Sequence, residues 1–251
     1  MKLKVISHSN KDNDSMQTNN FSFIVETSRT SVLVDAFNDS FSVLAENNLL
    51  TSNQRIILTH NNHSENGIDL SKLDKHIDSA STPMVCYLPE IDLKDAYDFS
   101  DNIECIEINP SKTLKLEDLT ITFHKNLSLN PSYAVRFCSG DLSLVYTPDT
   151  AYHDSLAGWA YEADILLANC DHFRRGEYHD KMNELEVADL INGSQPTLSL
   201  LLPDNSVSEP VAMLETVKKN AWGMIELVEP DAIYDLNNLD ETTSNFTTLS
   251  L

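Results

Sequence analysis

Glycine is scarce in this sequence, with 6 in 251 residues, about a third of the roughly 7% usual in globular chains. No G-x-G-x-x-G, Walker loop or G-x-S-x-G elbow occurs, which excludes a dinucleotide cradle, P-loop phosphoryl transfer and an α/β-hydrolase nucleophile. Basic residues are also few: 17 Lys and Arg stand against 39 Asp and Glu, a formal net charge of −22. Such a surface repels polyanions, so neither nucleic acid nor an anionic membrane surface is expected as a partner. No apolar run approaches the ~18–20 residues of a membrane span, and the Met1-Lys2-Leu3-Lys4 start lacks the apolar stretch of a signal peptide. The four cysteines, Cys86, Cys105, Cys138 and Cys170, form no C-x-x-C pair. They read as buried core thiols in a reducing, cytoplasmic setting rather than a disulfide framework or a thiolate zinc site.

What is present is enough for a sizeable core: 41% of residues are hydrophobic, which argues against disorder. The apolar runs are short and rich in β-branched and aromatic residues. They predict strands at Leu3–Ser7, Phe21–Glu26, Ser31–Asp35, Arg55–Thr59, Met84–Leu88, Ile103–Ile108, Leu119–His124, Tyr133–Cys138, Leu142–Thr147, Ile165–Asn169, Leu198–Leu202 and Met224–Leu227. Helical patterns fall at Ser40–Asn48, Ser71–Ile77, Tyr152–Glu162, Asn183–Ile191 and Ser208–Asn220. The last opens on a capping hydroxyl at Ser208 with Pro210 in the first turn, and Asn183 caps the one before it. No linker or low-complexity tract divides the chain, so 1–251 reads as a single domain. Each half, roughly 1–115 and 116–251, runs hairpin, strand ending near an Asp (Asp35, Asp149), then helix. That echo predicts two similar halves packed sheet against sheet with helices outside, a four-layer α/β sandwich.

Polar residues that could do chemistry cluster at strand ends, a common place for function in α/β folds. The densest cluster, Thr59-His60-Asn61-Asn62-His63-Ser64-Glu65, is either a metal-ligating loop or a solvated turn with two ordinary histidines. Asp149, in Tyr146-Thr147-Pro148-Asp149-Thr150, either ligates a metal or caps the helix starting near Tyr152. A third cluster is Asn169-Cys170-Asp171-His172.

In order along the chain, these segments resemble the metallo-β-lactamase superfamily, in its small bacterial phosphodiesterase-like branch related to ribonuclease Z. Ser31-Val-Leu-Val-Asp35 is similar to the strand that carries the family's second-shell Asp. Ile57-Leu58-Thr59-His60 resembles the "LTH" that opens an H-x-H-x-D-H metal loop. Leu144-Val-Tyr-Thr-Pro-Asp-Thr150 is close to "LVYTGDT", which carries the bridging Asp, and Ala163-Asp-Ile-Leu-Leu-Ala-Asn-Cys170 is similar to "ADLLIAEC". The resemblance implies an αββα sandwich of two mixed sheets and, in active members, two metal ions in a cage of His and Asp that hydrolyse phosphodiesters.

Position by position, the same resemblance implies a dismantled cage. His60 and Asp149 stand at ligand positions. Asn62, Ser64, Glu65, Ser128 and Leu201 stand where the second His, the Asp, the last loop His, a His before Pro131 and the late-strand His are expected. Lys181 replaces a further His, with His179 two residues away, and Lys181 is expected to neutralise Asp149 or Glu65. Asn, Ser and Leu are poor or impossible zinc ligands. Two readings follow. One is a non-catalytic or strongly impaired homologue without a cofactor, which binds an unknown small molecule or protein. The other is a hydrolase rebuilt around one divalent ion (zinc, manganese or iron) at His60, Glu65 and Asp149. A homodimer is implied by the resemblance alone. Family glycines are replaced by Ser7, Phe37 and Pro148, and Gly67 remains. The lost glycines fit loops no longer shaped around a metal.

Overall fold

The structure, a computed structural model, describes residues 1–8, 20–36, 44, 54–60, 84–89, 103–171, 180–203 and 207–241. Strands β1 (Lys2–His8), β2 (Asn20–Glu26), β3 (Ser31–Val34), β4 (Arg55–Ile57), β5 (Met84–Leu88) and β6 (Ile103–Glu107) belong to a first sheet. Strands β7 (Leu114–Leu116), β8 (Leu119–Lys125), β9 (Tyr133–Ser139), β10 (Leu142–Thr147), β11 (Ile165–Cys170), β12 (Leu198–Pro203) and β13 (Met224–Leu227) form a second. β14 (Ile233–Asp235) returns from the far end of the chain to pair antiparallel with β1, giving each sheet seven strands.

The two sheets repeat one pairing plan. In the first, β1, β2 and β3 are antiparallel and β3 through β6 run parallel. In the second, β7 through β10 are antiparallel and β10 through β13 run parallel. Alternation along each strand sorts side chains into layers. Phe23, Val25, Val32, Val34, Phe137, Leu144, Ile165 and Leu167 fill the space between the sheets, where Phe23 and Tyr146 meet edge to face at 4.8 Å. Their neighbours Val145, Leu166, Ala168 and Leu201 point outward beneath α1 (Asp154–Trp159), α2 (Glu184–Ser194) and α3 (Pro210–Asn220). The outer face of the first sheet carries a third apolar layer of Ile24, Leu33, Leu44, Ile56, Cys86 and Leu88. Strands buried on both faces explain why the parallel segments read as continuous apolar runs rather than alternating ones.

Several details differ from the sequence expectation. α1 occupies Asp154–Trp159, shorter than Tyr152–Glu162, and its cap is the His153 ring, which accepts from Leu156 N–H; Asp149 is not the cap. Ser208 does not cap α3 either: Glu209 holds that position with no side-chain cap bond, and Pro210 opens the helix. Asn183 caps α2 as expected, in a reciprocal box with Glu186. β7 and β14 were not anticipated, being only three residues each. Of Ser40–Asn48 only Leu44 is described, and it is helical and buried; Ser71–Ile77 lies outside the described residues. All four cysteines are free thiols, but Cys105 and Cys138 are only half-buried.

Candidate functional site

The site is built at the carboxyl ends of β3, β4 and β10. Asp35 follows β3 with φ 49°, a left-handed conformation that Asp tolerates better than most residues. It is 1% exposed, and a carboxylate so buried needs donors. Thr59 supplies two: its backbone N–H at 2.7 Å and its hydroxyl at 2.6 Å. With that hydroxyl proton committed to Asp35, the Thr59 oxygen faces His60 Nδ1 at 3.1 Å as an acceptor. His60 Nδ1 also stands 3.8 Å from the Asp35 carboxylate. The network therefore places the imidazole proton on Nδ1 and makes Nε2 the nitrogen that can ligate, the way a second shell orients a metal-binding His.

The Asp149 side arrives through backbone pairings. His60 bridges Ser132, and Leu127 bridges Ala151. Ser132 Oγ donates to the Asp149 carbonyl at 3.2 Å and accepts from Asn126 Nδ2 at 2.9 Å. These ties bring the His60 turn, the half-buried Ser128 loop and Asp149 together. Asn169, at the end of β11, donates its amide to Asp149 Oδ1 at 3.1 Å. Tyr146 is buried against the same group: loss of solvent first, then the charges of Asp35 and Asp149, hold its hydroxyl well above the ordinary phenol range.

Other expected site residues fall elsewhere. Lys181 Nζ pairs with Asp171 at 3.1 Å, so the partner described for it is neither Asp149 nor Glu65. Leu201 is fully buried among the helix-facing residues. Asn62, Ser64, Glu65, His63, Gly67, Phe37, His172 and His179 lie outside the described residues. Among the described residues no group of three or more His, Cys, Asp or Glu is placed to hold a metal ion. Among the described residues at the site, His60 and Asp149 can ligate, Ser128 is a weak donor, and Asp149 receives an amide hydrogen bond, a set that does not by itself fit a two-metal cage.

The crystal structure of the metallo-β-lactamase fold protein YhfI from Bacillus subtilis superposes with a TM-score of 0.76 at 22% identity, covering 93% of this chain and 99% of that one. The chain has the metallo-β-lactamase fold. A diphosphatase of the PhnP family, at TM-score 0.68 and 14% identity over 93% and 97% of the two chains, shares it. So does the short form of human tRNase Z, at TM-score 0.66 and 10% identity over 94% and 99%. In sequence, the Bacillus subtilis (strain 168) protein "Probable metallo-hydrolase YhfI" is 34% identical over 83 residues, 32% of this chain and 34% of that protein. The matched segment thus spans about a third of the length of that curated relative. No protein-family model matches the chain. These matches bear out the fold that the resemblance implied.

Within the metallo-β-lactamase fold, two residues matter that sequence reading named only as cluster members, without a role. Thr59 had a signal, as the middle residue of "LTH". Asn169 had a clearer one: the resemblance sets it where "ADLLIAEC" carries its Glu, and the structure puts its amide beside Asp149. At the other end of β3 and β4, a cavity of about 850 Å³ gathers Arg29, Arg55 and Lys115 with Glu26 and Glu117. Its charges nearly balance, and it does not touch the His60–Asp149 group.

Proposed function

We propose that this chain is a metallo-β-lactamase-fold protein whose two-metal hydrolytic centre has been dismantled, leaving a pocket that binds a neutral or cationic small molecule or a protein partner. The observation that carries the reading is the Asn169–Asp149 hydrogen bond at 3.1 Å. In a two-metal site the bridging carboxylate is satisfied by cations. Here a neutral donor meets it, which is the arrangement that keeps a carboxylate satisfied when no cation is present. The net charge of −22 supports the same reading, because an anionic phosphodiester is repelled unless metal ions make the pocket locally positive.

One observation favours a second reading, a hydrolase with a single divalent ion at His60, Glu65 and Asp149. The Asp35–Thr59–His60 relay still presents His60 Nε2 as a ligating nitrogen. An ion held there would supply Lewis acidity toward a phosphodiester. The two readings separate in an assay of an aryl phosphodiester with zinc, manganese or iron added. The first expects turnover no greater than in buffer. Turnover that disappears in Asp149→Ala would establish the second.

A further inference from the structure

Cys86 and Cys105 are register partners on adjacent parallel strands, β5 and β6. Both project into the outer layer of the first sheet, so their side chains lie on one face. Neighbouring strands sit about 4.8 Å apart, inside the roughly 4.4–6.8 Å Cα separation that a disulfide spans. Both are free thiols, Cys86 fully buried and Cys105 half-buried. β6 ends the described order of its sheet, so among the described residues its backbone has ladder partners on one side only and is freer to adjust as the two side chains close. A cross-strand pair of thiols on one face is a different object from the isolated core thiols expected from the sequence.

We propose that Cys86 and Cys105 form a reversible dithiol–disulfide pair, a peroxide-sensitive modification site on the outer face of the first sheet. The roles follow from position. Cys105 is the accessible member, and its thiol is drawn below the ordinary range by the Cys86 thiol beside it. Cys86 is pushed well up by that same neighbour and by burial, so it stays protonated. The Cys105 thiolate attacks hydrogen peroxide: an S–O bond forms, the O–O bond breaks, hydroxide leaves, and Cys105 becomes a sulfenic acid. The Cys86 sulfur then attacks the Cys105 sulfur. The S–S bond forms, the S–O bond breaks, and the thiol proton leaves with the hydroxyl as water. The two thiols are oxidised by two electrons and the peroxide is reduced to water and hydroxide. The pair lies one strand from the candidate site, since the carbonyl of Tyr87, next to Cys86, accepts from Leu58 N–H at 2.8 Å, just before Thr59 and His60.

The test is peptide mapping of the intact protein under non-reducing conditions, before and after hydrogen peroxide. Two of the four thiols are expected to vanish, with a linked Cys86–Cys105 peptide pair two hydrogens lighter than the reduced peptides. Dithiothreitol should restore both thiols. Cys86→Ser should leave Cys105 as a sulfenic acid trapped by dimedone, and Cys138→Ser should leave the link unchanged. The proposal is overturned if all four thiols survive peroxide, if the link joins any other pair, or if Cys105 passes to sulfinic acid while Cys86 stays reduced. The wild-type map decides the matter even where a variant folds poorly.

Discussion

At Asn169 a side-chain amide stands 3.1 Å from the Asp149 carboxylate, and replacing it by Asp would set two carboxylates at that distance. Like charges so close either raise a pKa or recruit a cation. Asn169→Asp is therefore expected to cost about 1–3 kcal/mol in metal-free buffer, the scale for leaving a partly buried acceptor without its donor. Added zinc or manganese should restore part of the loss. Thermal denaturation with and without metal checks this, and a loss untouched by metal would mean the site has no room for a cation. A second residue-scale prediction concerns His153, which stacks on His124 at 5.4 Å and accepts the Leu156 N–H in the first turn of α1. Burial lowers the pKa of both rings, and His124 lowers that of His153 further against the opposing pull of Asp154. Protonating His153 Nδ1 would turn a cap acceptor into a donor facing the positive end of a helix. Because the folded values lie below the ordinary ~6.5, the unfolded chain takes up protons first. The contribution to stability is whole above pH ~6.5 and falls as pH drops through that value toward the lowered native ones. His153→Asn keeps an acceptor at the cap and removes the titration. The gap in Tm between wild type and His153→Asn should close, or change sign in favour of the variant, between pH 7.5 and 5.5. A pH-independent gap would contradict this.

At the scale of elements, the shortage of glycine has a local cost. Among the described residues Asp35, Glu117, Glu162, Gln195 and Asp231 have positive φ without being glycine. Gln195 ends α2 at φ 50°, the position where glycine is favoured. Gln195→Gly should raise stability by about 1 kcal/mol, or about 2–4 °C in Tm for a chain of this size. Gly193, two residues earlier, must stay small, because a Cβ there would sit 2.9 Å from Ala157 Cβ where α2 passes α1. Gly193→Ala is expected to cost about 1–3 kcal/mol by urea denaturation. A neutral result would show that α1 can shift aside. The longer strands were legible in the sequence because their apolar runs are long enough to show two-sided burial; Met84–Leu88, Leu142–Thr147 and Met224–Leu227 match residue for residue. β7 and β14 were not, since three residues carry no period. Their strand character comes from the neighbours β8 and β1. Of the site, Asp35, His60 and Asp149 were legible from their places after apolar strands. The Asn169 contact and the Lys181–Asp171 pair were not, because each depends on which strand ends lie side by side.

At the scale of the whole molecule, two sheets with one pairing plan bring their β3–β4 and β10–β11 ends to a shared edge. On the proposed reading, the fold assembles the place where a metal centre would stand, with changed side chains there. A net charge of −22 surrounds it, and no helix among the described residues is long and apolar enough to cross a membrane. The central claim is that the scaffold remains without its two-metal centre, and metal content tests it most directly. The full chain would be purified without added metal, then dialysed against zinc, manganese or iron, with metal per chain measured by elemental analysis. The account predicts well under one equivalent of any of them in both preparations. One equivalent or more, bound by the wild type and lost in Asp149→Ala, would contradict it.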